Sequence, residues 1–336
     1  MTQKDDRDGA ICLGALQQLQ NQVGPEVRSE IAAYLARTVG ETAPPLELPT
    51  PSEATCTRLH DEGCAPLGRL LSDSQCREVE DYFRARPCFN THVPVYSDQL
   101  PRSFADCRDA GHYASYRWLD IAAAPHLVET ALRPDLLAIV GDYLGCLPTI
   151  YSIHAWWTFA DRPTPAQTHR IHRDLDDFRF LAMFVYLTDV GPKDGPTRMI
   201  RRTHRHDLSN RYVEQYNAQI AAGASGAAAT VSPTLLFPPE SGNARRLNLD
   251  FARLFPGLEE EFTGPAGTAV VADTFGLHHG TMPKERDRLV CWIRYGLYQN
   301  EIYRIDQNVP LPWSTLGRPL VRTPAIDYMM RLLFQS

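Results

Sequence analysis

The sequence has no apolar run of the roughly 18 residues that a membrane-spanning helix requires. Its first residues, Met1 to Asp8, are mostly polar and lack the apolar stretch of a secretory signal peptide. These two absences predict a cytoplasmic protein that does not act at a membrane.

An excess of positive charge is also missing. The 336 residues carry 34 Lys and Arg against 40 Asp and Glu, a formal net charge of −6, which disfavours a general nucleic-acid-binding protein. The eight cysteines include no Cys-x-x-Cys pair, which disfavours a structural zinc site or a redox dithiol and predicts reduced thiols. The composition, 43% hydrophobic and 22% charged, suits one globular domain with a large core.

Proline and glycine divide the N-terminal part of the chain. Residues 25–39 predict an amphipathic helix, with Pro25 in its first turn and Gly40 beyond its end. Residues 41–54 form a proline-rich linker that cannot continue this helix. We therefore predict an N-terminal helical extension and linker over residues 1–54 and one main domain over residues 55–336.

The main domain has the pattern of a β-rich core with helices. A helix is predicted from Ser72 to Arg84, with Ser72 or Asp73 as its N-cap. Residues 180–190 are apolar at odd and even positions alike, which is typical of a strand buried on two sides. Shorter strands are predicted at 268–272 and 289–298. The pattern predicts an all-β core with flanking helices, specifically a jelly-roll barrel of the cupin-like, double-stranded β-helix type.

A long insertion, at about 207–263, interrupts the predicted strands. It contains a short predicted helix at 212–220 and a stretch of small, uncharged residues at 221–230 that suits a mobile loop. Insertions of this length are usually either lids over a binding site or disordered additions, and the sequence leaves both alternatives open.

His172 and Asp174 carry the clearest chemical signal. Residues two apart in a strand point to the same face, so both side chains can reach one metal ion. His278 and His279 offer a further imidazole. Two imidazoles and one carboxylate form the facial triad of non-haem Fe(II) centres, which leaves coordination positions open. A lone strand histidine is usually a core residue, but a buried carboxylate on the same face needs a cation or metal beside it.

The residues around these ligands resemble the phytanoyl-CoA dioxygenase (PhyH)-like family of Fe(II)/2-oxoglutarate-dependent oxygenases. The matching motifs stand in the family's order: Ile171 to Val190, Gly195-Pro196, Thr203-His204, Gly267, Asp273, Gly276-Leu277-His278 and Arg288. The resemblance covers roughly residues 57–336. It implies a jelly-roll enzyme that uses Fe(II), 2-oxoglutarate and O2, hydroxylates an unactivated C–H bond of a small molecule, and releases succinate and CO2.

The resemblance also implies roles for individual residues. The distal iron ligand of the family lies five residues after the position of Asp273, which selects His278 and leaves His279 as an outward-facing polar side chain. An aspartate at 174 favours oxygenation, because related halogenating enzymes have a small residue there. His172, Asp174 and His278 are therefore the predicted catalytic metal ligands.

A cation is needed for the remote carboxylate of 2-oxoglutarate, and a guanidinium group matches a carboxylate with two hydrogen bonds. By the spacing of the family, Arg288 takes this role, ten residues after His278. Arg286 has the same parity along the predicted strand and is the alternative. Thr281 is predicted to assist in holding the same carboxylate.

Other functions on the same fold stay open. A cupin-like metal-binding module, or a non-redox isomerase or hydrolase, would need the metal ligands but not Arg288. Trp156, Trp157 and Phe159 precede the first ligands and are predicted to be core residues. Six arginines surround the metal motif in sequence and are either solvated surface or a recognition site for an acidic substrate: Arg170, Arg173, Arg179, Arg198, Arg201 and Arg202. The sequence does not identify the substrate.

Overall fold

Two antiparallel β-sheets form the centre of the computed structural model, which describes residues 23, 25–92, 100–162, 169, 171–222, 251–297 and 310–335. Their strands are β1 (Cys64–Arg69), β2 (Tyr113–Ser115), β3 (Thr149–Thr158), β4 (Phe180–Tyr186), β5 (Thr197–Ile200), β6 (Glu259–Phe262), β7 (Thr268–Ala272), β8 (His278–Gly280) and β9 (Arg288–Gly296). The larger sheet has the order β1-β7-β4-β9-β3-β2, and the smaller sheet has the order β6-β5-β8.

The two sheets pack face to face. One buried cluster combines Phe184 and Trp292 of the larger sheet with Met199 and Phe262 of the smaller sheet. The opposite face of the larger sheet is covered by helices, in a second and larger cluster. The larger sheet is therefore the middle layer of the molecule, and the space between the two sheets is its second core.

Strand β4 confirms the prediction of a strand buried on two sides, since all seven of its residues are buried. Met183 and Val185 belong to the cluster that includes the helices, whereas Ala182 and Phe184 face the smaller sheet. Alternating side chains of one strand thus serve two different cores. The apolar pattern at both parities follows from this position in the middle layer.

The predicted β-rich core with flanking helices is confirmed, and the finer prediction of a jelly-roll barrel stays a prediction. Within the described ranges, hydrogen-bonded pairing joins the strands into two separate sheets rather than one closed barrel. His172 is paired with the smaller sheet only through an isolated bridge to His278. The segment that carries the first ligands is therefore extended without being a regular strand.

Most of the helices cover the larger sheet, whereas the helices within 206–254 pack in a separate cluster with Ile200 of the smaller sheet. The helices are α1 (Pro25–Thr42), α2 (Glu53–Glu62), α3 (Asp73–Arg84), α4 (Phe104–Ala110), α5 (Trp118–Ala122), α6 (Leu127–Ala131), α7 (Pro134–Leu144), α8 (His206–Ala221), α9 (Phe251–Leu254) and α10 (Pro324–Met330), with a short 3-10 helix at Trp313–Thr315. Helix α3 begins as predicted, because Ser72 and Gln75 form a reciprocal capping box at its N-terminus.

The N-terminal prediction agrees with the structure in its elements. Helix α1 extends three residues beyond the predicted end at residue 39, and residues 43–52 contain no helix or strand. Ala32 and Ala36 of α1 are buried in the cluster that covers the larger sheet. The division of the chain into an extension over 1–54 and a domain over 55–336 stays a prediction.

The region at 207–263 contributes both a helix and a strand of the smaller sheet. Helix α8 begins at His206, six residues before the predicted start of a helix at 212, and Arg211 pairs with Asp207 one turn earlier at 3.2 Å. Near its other end, β6 pairs with β5 and so completes the smaller sheet. Residues 223–250, including most of the small-residue stretch, lie outside the described residues.

The predictions about membrane spans and cysteines concern helices and thiols that the fold contains. No helix in the described part of the chain has both the length and the apolar character needed to cross a membrane. The seven cysteines at 56, 64, 76, 88, 107, 146 and 291 are free thiols, as predicted, while Cys12 lies outside the described residues. A cytoplasmic location stays a prediction.

Gly267 generates a prediction about stability. Its φ is +89°, and an added Cβ would overlap the backbone carbonyl oxygen of Leu71, whereas Gly257 has a φ of +72° and open space around it. Gly257→Ala should therefore cost only the left-handed strain of about 1–2 kcal/mol. Gly267→Ala should lower the free energy of unfolding by about 2 kcal/mol more, because a backbone clash adds to the strain. Urea unfolding of both variants measures the difference, and equal losses would contradict this account of the β7 entry.

Candidate metal centre

Three side chains converge between the sheets at one point. Nε2 of His172 lies 3.8 Å from Oδ1 of Asp174, and Nε2 of His278 lies 3.7 Å from Oδ2 of the same carboxylate. One donor atom from each residue falls within 4.8 Å of the other two. The structure thus brings together the two imidazoles and the carboxylate that the sequence predicts as ligands, in a spacing that one divalent ion could bridge.

Backbone hydrogen bonds hold these three residues in register. His172 and His278 exchange two bonds, N to O in each direction, both 2.9 Å long. The amide of Asp174 donates to the carbonyl of Thr274 at 2.9 Å. The positions of the ligands are therefore fixed by the main chain on both sides of the site, and only the side-chain torsions remain to be set.

The protonation state of His278 suits a metal ligand. Its Nδ1 lies 2.9 Å from the carbonyl oxygen of Gly276, and because a carbonyl can only accept, Nδ1 carries the proton. Nε2 is then left with a free lone pair directed at the carboxylate. Burial lowers the pKa of His278 to about 4, so the ring is neutral at physiological pH. A neutral imidazole held by a backbone carbonyl is the usual form of a metal-ligating histidine.

The carboxylate of Asp174 supplies the clearest test of fit for a metal. Its Oδ2 is buried and has no hydrogen-bond partner in the part of the chain that the structure describes. A carboxylate oxygen removed from water without a partner is destabilised unless a cation lies beside it. A divalent ion between Asp174, His172 and His278 would satisfy this oxygen, so the residues present fit a metal.

His279 has a different environment from its neighbour. Its Nε2 lies 3.6 Å from Oε1 of Glu259 on β6, and the residue also lines the cavity that the three candidate ligands share. Successive residues of a strand point to opposite faces, so only one of the two histidines can join the cluster. The three-residue cluster that could hold a metal contains His278 and not His279.

A cavity of about 50 Å³ extends from the ligands to Arg288 at the start of β9. The guanidinium of Arg288 is buried and donates to the carbonyl of Gly195 and, at 3.3 Å, to the hydroxyl of Thr158. No carboxylate among the described residues forms an ion pair with it, and its Nε has no hydrogen-bond partner there. Burial lowers the pKa of Arg288 below its usual value. The cavity is therefore lined by both the candidate metal ligands and a buried cation.

The alternatives to Arg288 are placed elsewhere. Arg286 is 57% exposed and forms a 2.5 Å ion pair with Asp194, so its charge is already compensated at the surface. Thr281 donates its hydroxyl to the carbonyl of Pro196 at 3.0 Å, and the cavity wall beside Arg288 is formed by Thr197 and Gly280 instead. Arg288 thus lines the cavity, whereas Thr281 is not among the residues that line it.

Aromatic residues form the remaining wall of the cavity. Trp156, Phe184 and Trp292 line it, and the rings of Phe184 and Trp292 are stacked at 6.0 Å with an interplanar angle of 7°. Trp157 and Phe159 are core residues as predicted, but Trp156 lines the cavity as well as contributing to the core. The period of two from Arg288 through Val290 to Trp292 is the sequence signal that could have assigned this wall.

A buried ion pair supports this wall from behind. Nη1 of Arg294 donates to Oδ2 of Asp176 at 2.7 Å, and the guanidinium lies 3.3 Å above the ring of Trp292. Tyr151 donates its hydroxyl to the same carboxylate oxygen at 2.9 Å. This network orients the indole of Trp292 and was not predicted, because its members are far apart in sequence.

The arginines that are clustered in sequence do not gather at the cavity. Arg198 pairs with Glu261, and Arg201 and Arg202 both pair with Glu62. Arg173 is buried and donates to backbone carbonyls, and Arg179 donates to Leu144 at 3.2 Å. Arg170 lies outside the described residues. The charges of Arg198, Arg201 and Arg202 are thus neutralised by glutamates of the smaller sheet and of α2.

Comparison with known proteins gives only distant similarities. No family model matches the chain, and no curated protein matches it. Among solved structures, similar folds include HygX from Streptomyces hygroscopicus with nickel, 2-oxoglutarate and hygromycin B bound, at 14% identity over 73% of this chain and 87% of that chain, with a TM-score of 0.46. The non-heme alpha ketoglutarate dependent epimerase SnoN from nogalamycin biosynthesis has 12% identity, covers 73% and 82%, and has a TM-score of 0.45.

The carbocyclase SnoK, also described as non-heme and alpha ketoglutarate dependent, has 13% identity over 73% of this chain and 83% of that chain, with a TM-score of 0.43. TM-scores below 0.5 do not assign this chain a family or an activity. Its function is therefore inferred from its own site.

The cluster generates a prediction about metal binding. Alanine at 172, 174 or 278 should weaken the binding of Co(II) or Fe(II) by more than about a hundredfold, because each change removes a direct ligand rather than a supporting residue. His279→Ala is the matched control and should keep its metal affinity. Calorimetric titration of the metal-free proteins measures both. Tight binding in His278→Ala together with loss in His279→Ala would assign the distal ligand to the other imidazole.

Proposed function

We propose that this chain is an Fe(II)- and 2-oxoglutarate-dependent oxygenase that hydroxylates a small molecule. One observation supports the proposal above all others. A two-histidine, one-carboxylate cluster and a buried guanidinium without a carboxylate partner among the described residues line the same cavity. The cluster would hold the iron, and the guanidinium would bind the distal carboxylate of the co-substrate.

The ligand set suits Fe(II). Two imidazoles and one carboxylate on one side of the ion leave further positions open, which is the donor set of non-haem Fe(II) oxygenases. Iron, 2-oxoglutarate and O2 together would supply the oxidation, with release of succinate and CO2. The protein supplies binding, orientation and the exclusion of water.

Arg288 would orient the co-substrate within the cavity. Its buried position excludes water that would otherwise compete for the carboxylate, and a planar guanidinium can hold both oxygens. The hydroxyl of Thr158 and the carbonyl of Gly195 hold the arginine side chain from the opposite direction. Gly280 passes beside it, so that no side chain separates the guanidinium from the cavity.

The aromatic wall would keep the reacting centre dry. Trp156, Phe184 and Trp292 line the cavity together with Val290. Water exclusion strengthens the electrostatic contacts of Asp174 and Arg288 and limits side reactions. The two facing sheets support the further proposal that the core is a jelly-roll of the double-stranded β-helix type.

The cavity disfavours the other functions on this fold. A metal-binding module or a non-redox isomerase or hydrolase would use the three ligands, but would leave the buried charge of Arg288 without a role. A carboxylate at position 174 leaves no vacancy for a halide, which supports oxygenation rather than halogenation. The oxidised substrate itself is not specified by these features.

The proposal predicts Fe(II)-dependent turnover of 2-oxoglutarate without added substrate. The purified protein with Fe(II), 2-oxoglutarate and O2 should form succinate slowly, because uncoupled decarboxylation needs only the iron site and the co-substrate site. Asp174→Ala should abolish it, and His279→Ala should not. Succinate is measured by mass spectrometry. Equal succinate formation in Asp174→Ala, or without Fe(II), would refute the oxygenase.

The co-substrate site predicts a graded series at position 288. Arg288→Ala should raise the KM for 2-oxoglutarate about a hundredfold or more, because a charge-assisted pair in a buried pocket is lost. Arg288→Lys should be impaired to a smaller extent, because it keeps the charge without the planar fork. Metal affinity should be unchanged in both. The control is Arg286→Ala, and a raised KM in that variant alone would transfer the role to Arg286.

A further inference from the structure

Residues 273–277, here called the metal loop, contact both sides of the candidate metal centre. The carbonyl of Thr274 accepts the amide of Asp174 at 2.9 Å, and the carbonyl of Gly276 accepts Nδ1 of His278 at 2.9 Å. A shift of this loop would therefore move a carboxylate ligand and rotate an imidazole ligand together. The geometry of the centre depends on how firmly the metal loop is held.

Polar side chains hold the metal loop from within the domain. Oδ1 of Asp273 accepts the amide of Phe275 at 2.9 Å, and its Oδ2 accepts the hydroxyl of Tyr143 at 2.6 Å. Arg173, which lies between the two first ligands, donates through Nη1 to the carbonyls of Phe275 and Thr203. These contacts fix the main chain at the centre of the loop. The ring of Phe275 is buried with Leu175 and Phe180, and the guanidinium carbon of Arg173 lies 5.1 Å from its centroid.

Arg28 of α1 makes a closer contact with the same ring. Its guanidinium carbon lies 3.8 Å from the centroid of Phe275, and Nη2 donates to the carbonyl of Asp177 at 2.7 Å. The guanidinium is buried in the fold, although it comes from the first helix of the described chain. Burial lowers the pKa of Arg28 to about 10, opposed by the charges of Asp273 and Asp177, so the group stays positive at neutral pH.

The buried face of α1 places Arg28 at the metal loop. Arg28, Ala32, Ala36 and Val39 are buried and recur every three or four residues, which places them on one face of the helix. The three apolar residues pack the helix onto the fold, and the arginine at the start of the stripe reaches the metal loop. A guanidinium placed over an aromatic face is a specific contact that an aliphatic side chain would not replace.

We propose that Arg28 is a positioning residue of the metal centre, acting through Phe275 and the metal loop, and that α1 is thus part of the active-site apparatus. The inference rests on the metal centre of the proposed function and adds to it the N-terminal helix. Outer contacts that orient ligands typically change metal affinity when they are removed. The residue does not touch the metal, the co-substrate or the substrate, so its effect is expected in the affinity and geometry of the site.

The test is a calorimetric titration of metal-free protein with Co(II) alone, well below the unfolding temperature of each variant. Arg28→Met keeps the aliphatic stem and loses the cation, and should weaken Co(II) binding about tenfold. Arg37→Met is the matched control, since Arg37 is an exposed arginine on the same helix, and it should bind Co(II) like the unaltered protein. Unchanged affinity in Arg28→Met would overturn the proposal.

A double-mutant cycle tests the route through the ring. Phe275→Leu should also weaken Co(II) binding, and Arg28→Met combined with Phe275→Leu should be no weaker than the weaker single variant, because both remove the same contact. Additive losses would overturn the route. Should Arg28→Met not fold, Arg28→Lys replaces it and should show a smaller loss, because it keeps the charge without the planar face; wild-type affinity there would also overturn the proposal.

These outcomes are separable from those of the oxygenase proposal, because the titration contains no 2-oxoglutarate. Normal Co(II) binding by the unaltered protein without any succinate formation would refute the oxygenase and leave the role of Arg28 to be decided by its variants. Normal succinate formation with unchanged metal affinity in Arg28→Met would refute the positioning role alone.

Discussion

Two opposite charges, the Asp174 carboxylate and the Arg288 guanidinium, line one cavity without pairing with each other in the part of the chain that the structure describes. Charges are rarely kept away from water unless something compensates them, because their desolvation is costly. Each of the two charges therefore needs a partner of the opposite sign. A cation at Asp174 and a carboxylate at Arg288 satisfy both, and a co-substrate that binds the metal at one end and the guanidinium at the other would join them.

The larger sheet makes this arrangement possible because each of its central strands serves two layers. On β9, Leu289, Cys291 and Ile293 pack toward the helices, while Arg288 and Trp292 face the smaller sheet. The face of the sheet that packs against the helices supplies stability. The face toward the smaller sheet holds polar groups that a ligand would satisfy. The smaller sheet then closes the site, with His278 on its edge strand β8 bridged to His172. Stability and chemistry are thus divided between the two faces of one sheet.

Local signals in the sequence predicted much of this molecule, and long-range contacts account for what they missed. The helix start at Ser72 and the two-sided burial of β4 were predictable because each depends on a few neighbouring residues. Because His278 and His279 are adjacent, the alternation of strand side chains predicted that only one of them faces inward. Parity could not separate Arg286 from Arg288, and only the buried position of Arg288 and the surface ion pair of Arg286 do so. Three further features join segments that are far apart in the chain, so no local sequence pattern predicts them. They are the pairing of β6 with β5, the support of Trp292 by Arg294 and Asp176, and the contact between Arg28 and Phe275.

We propose that one cavity holds both a metal ion and a dicarboxylate co-substrate. The most direct measurement is a crystal structure of the protein with Mn(II), as a redox-stable substitute for Fe(II), and 2-oxoglutarate. We expect one metal ion bound by His172, Asp174 and His278, with the distal carboxylate of the co-substrate hydrogen-bonded to Arg288. A metal ion bound without His278, or a co-substrate whose distal carboxylate lies away from Arg288, would contradict it.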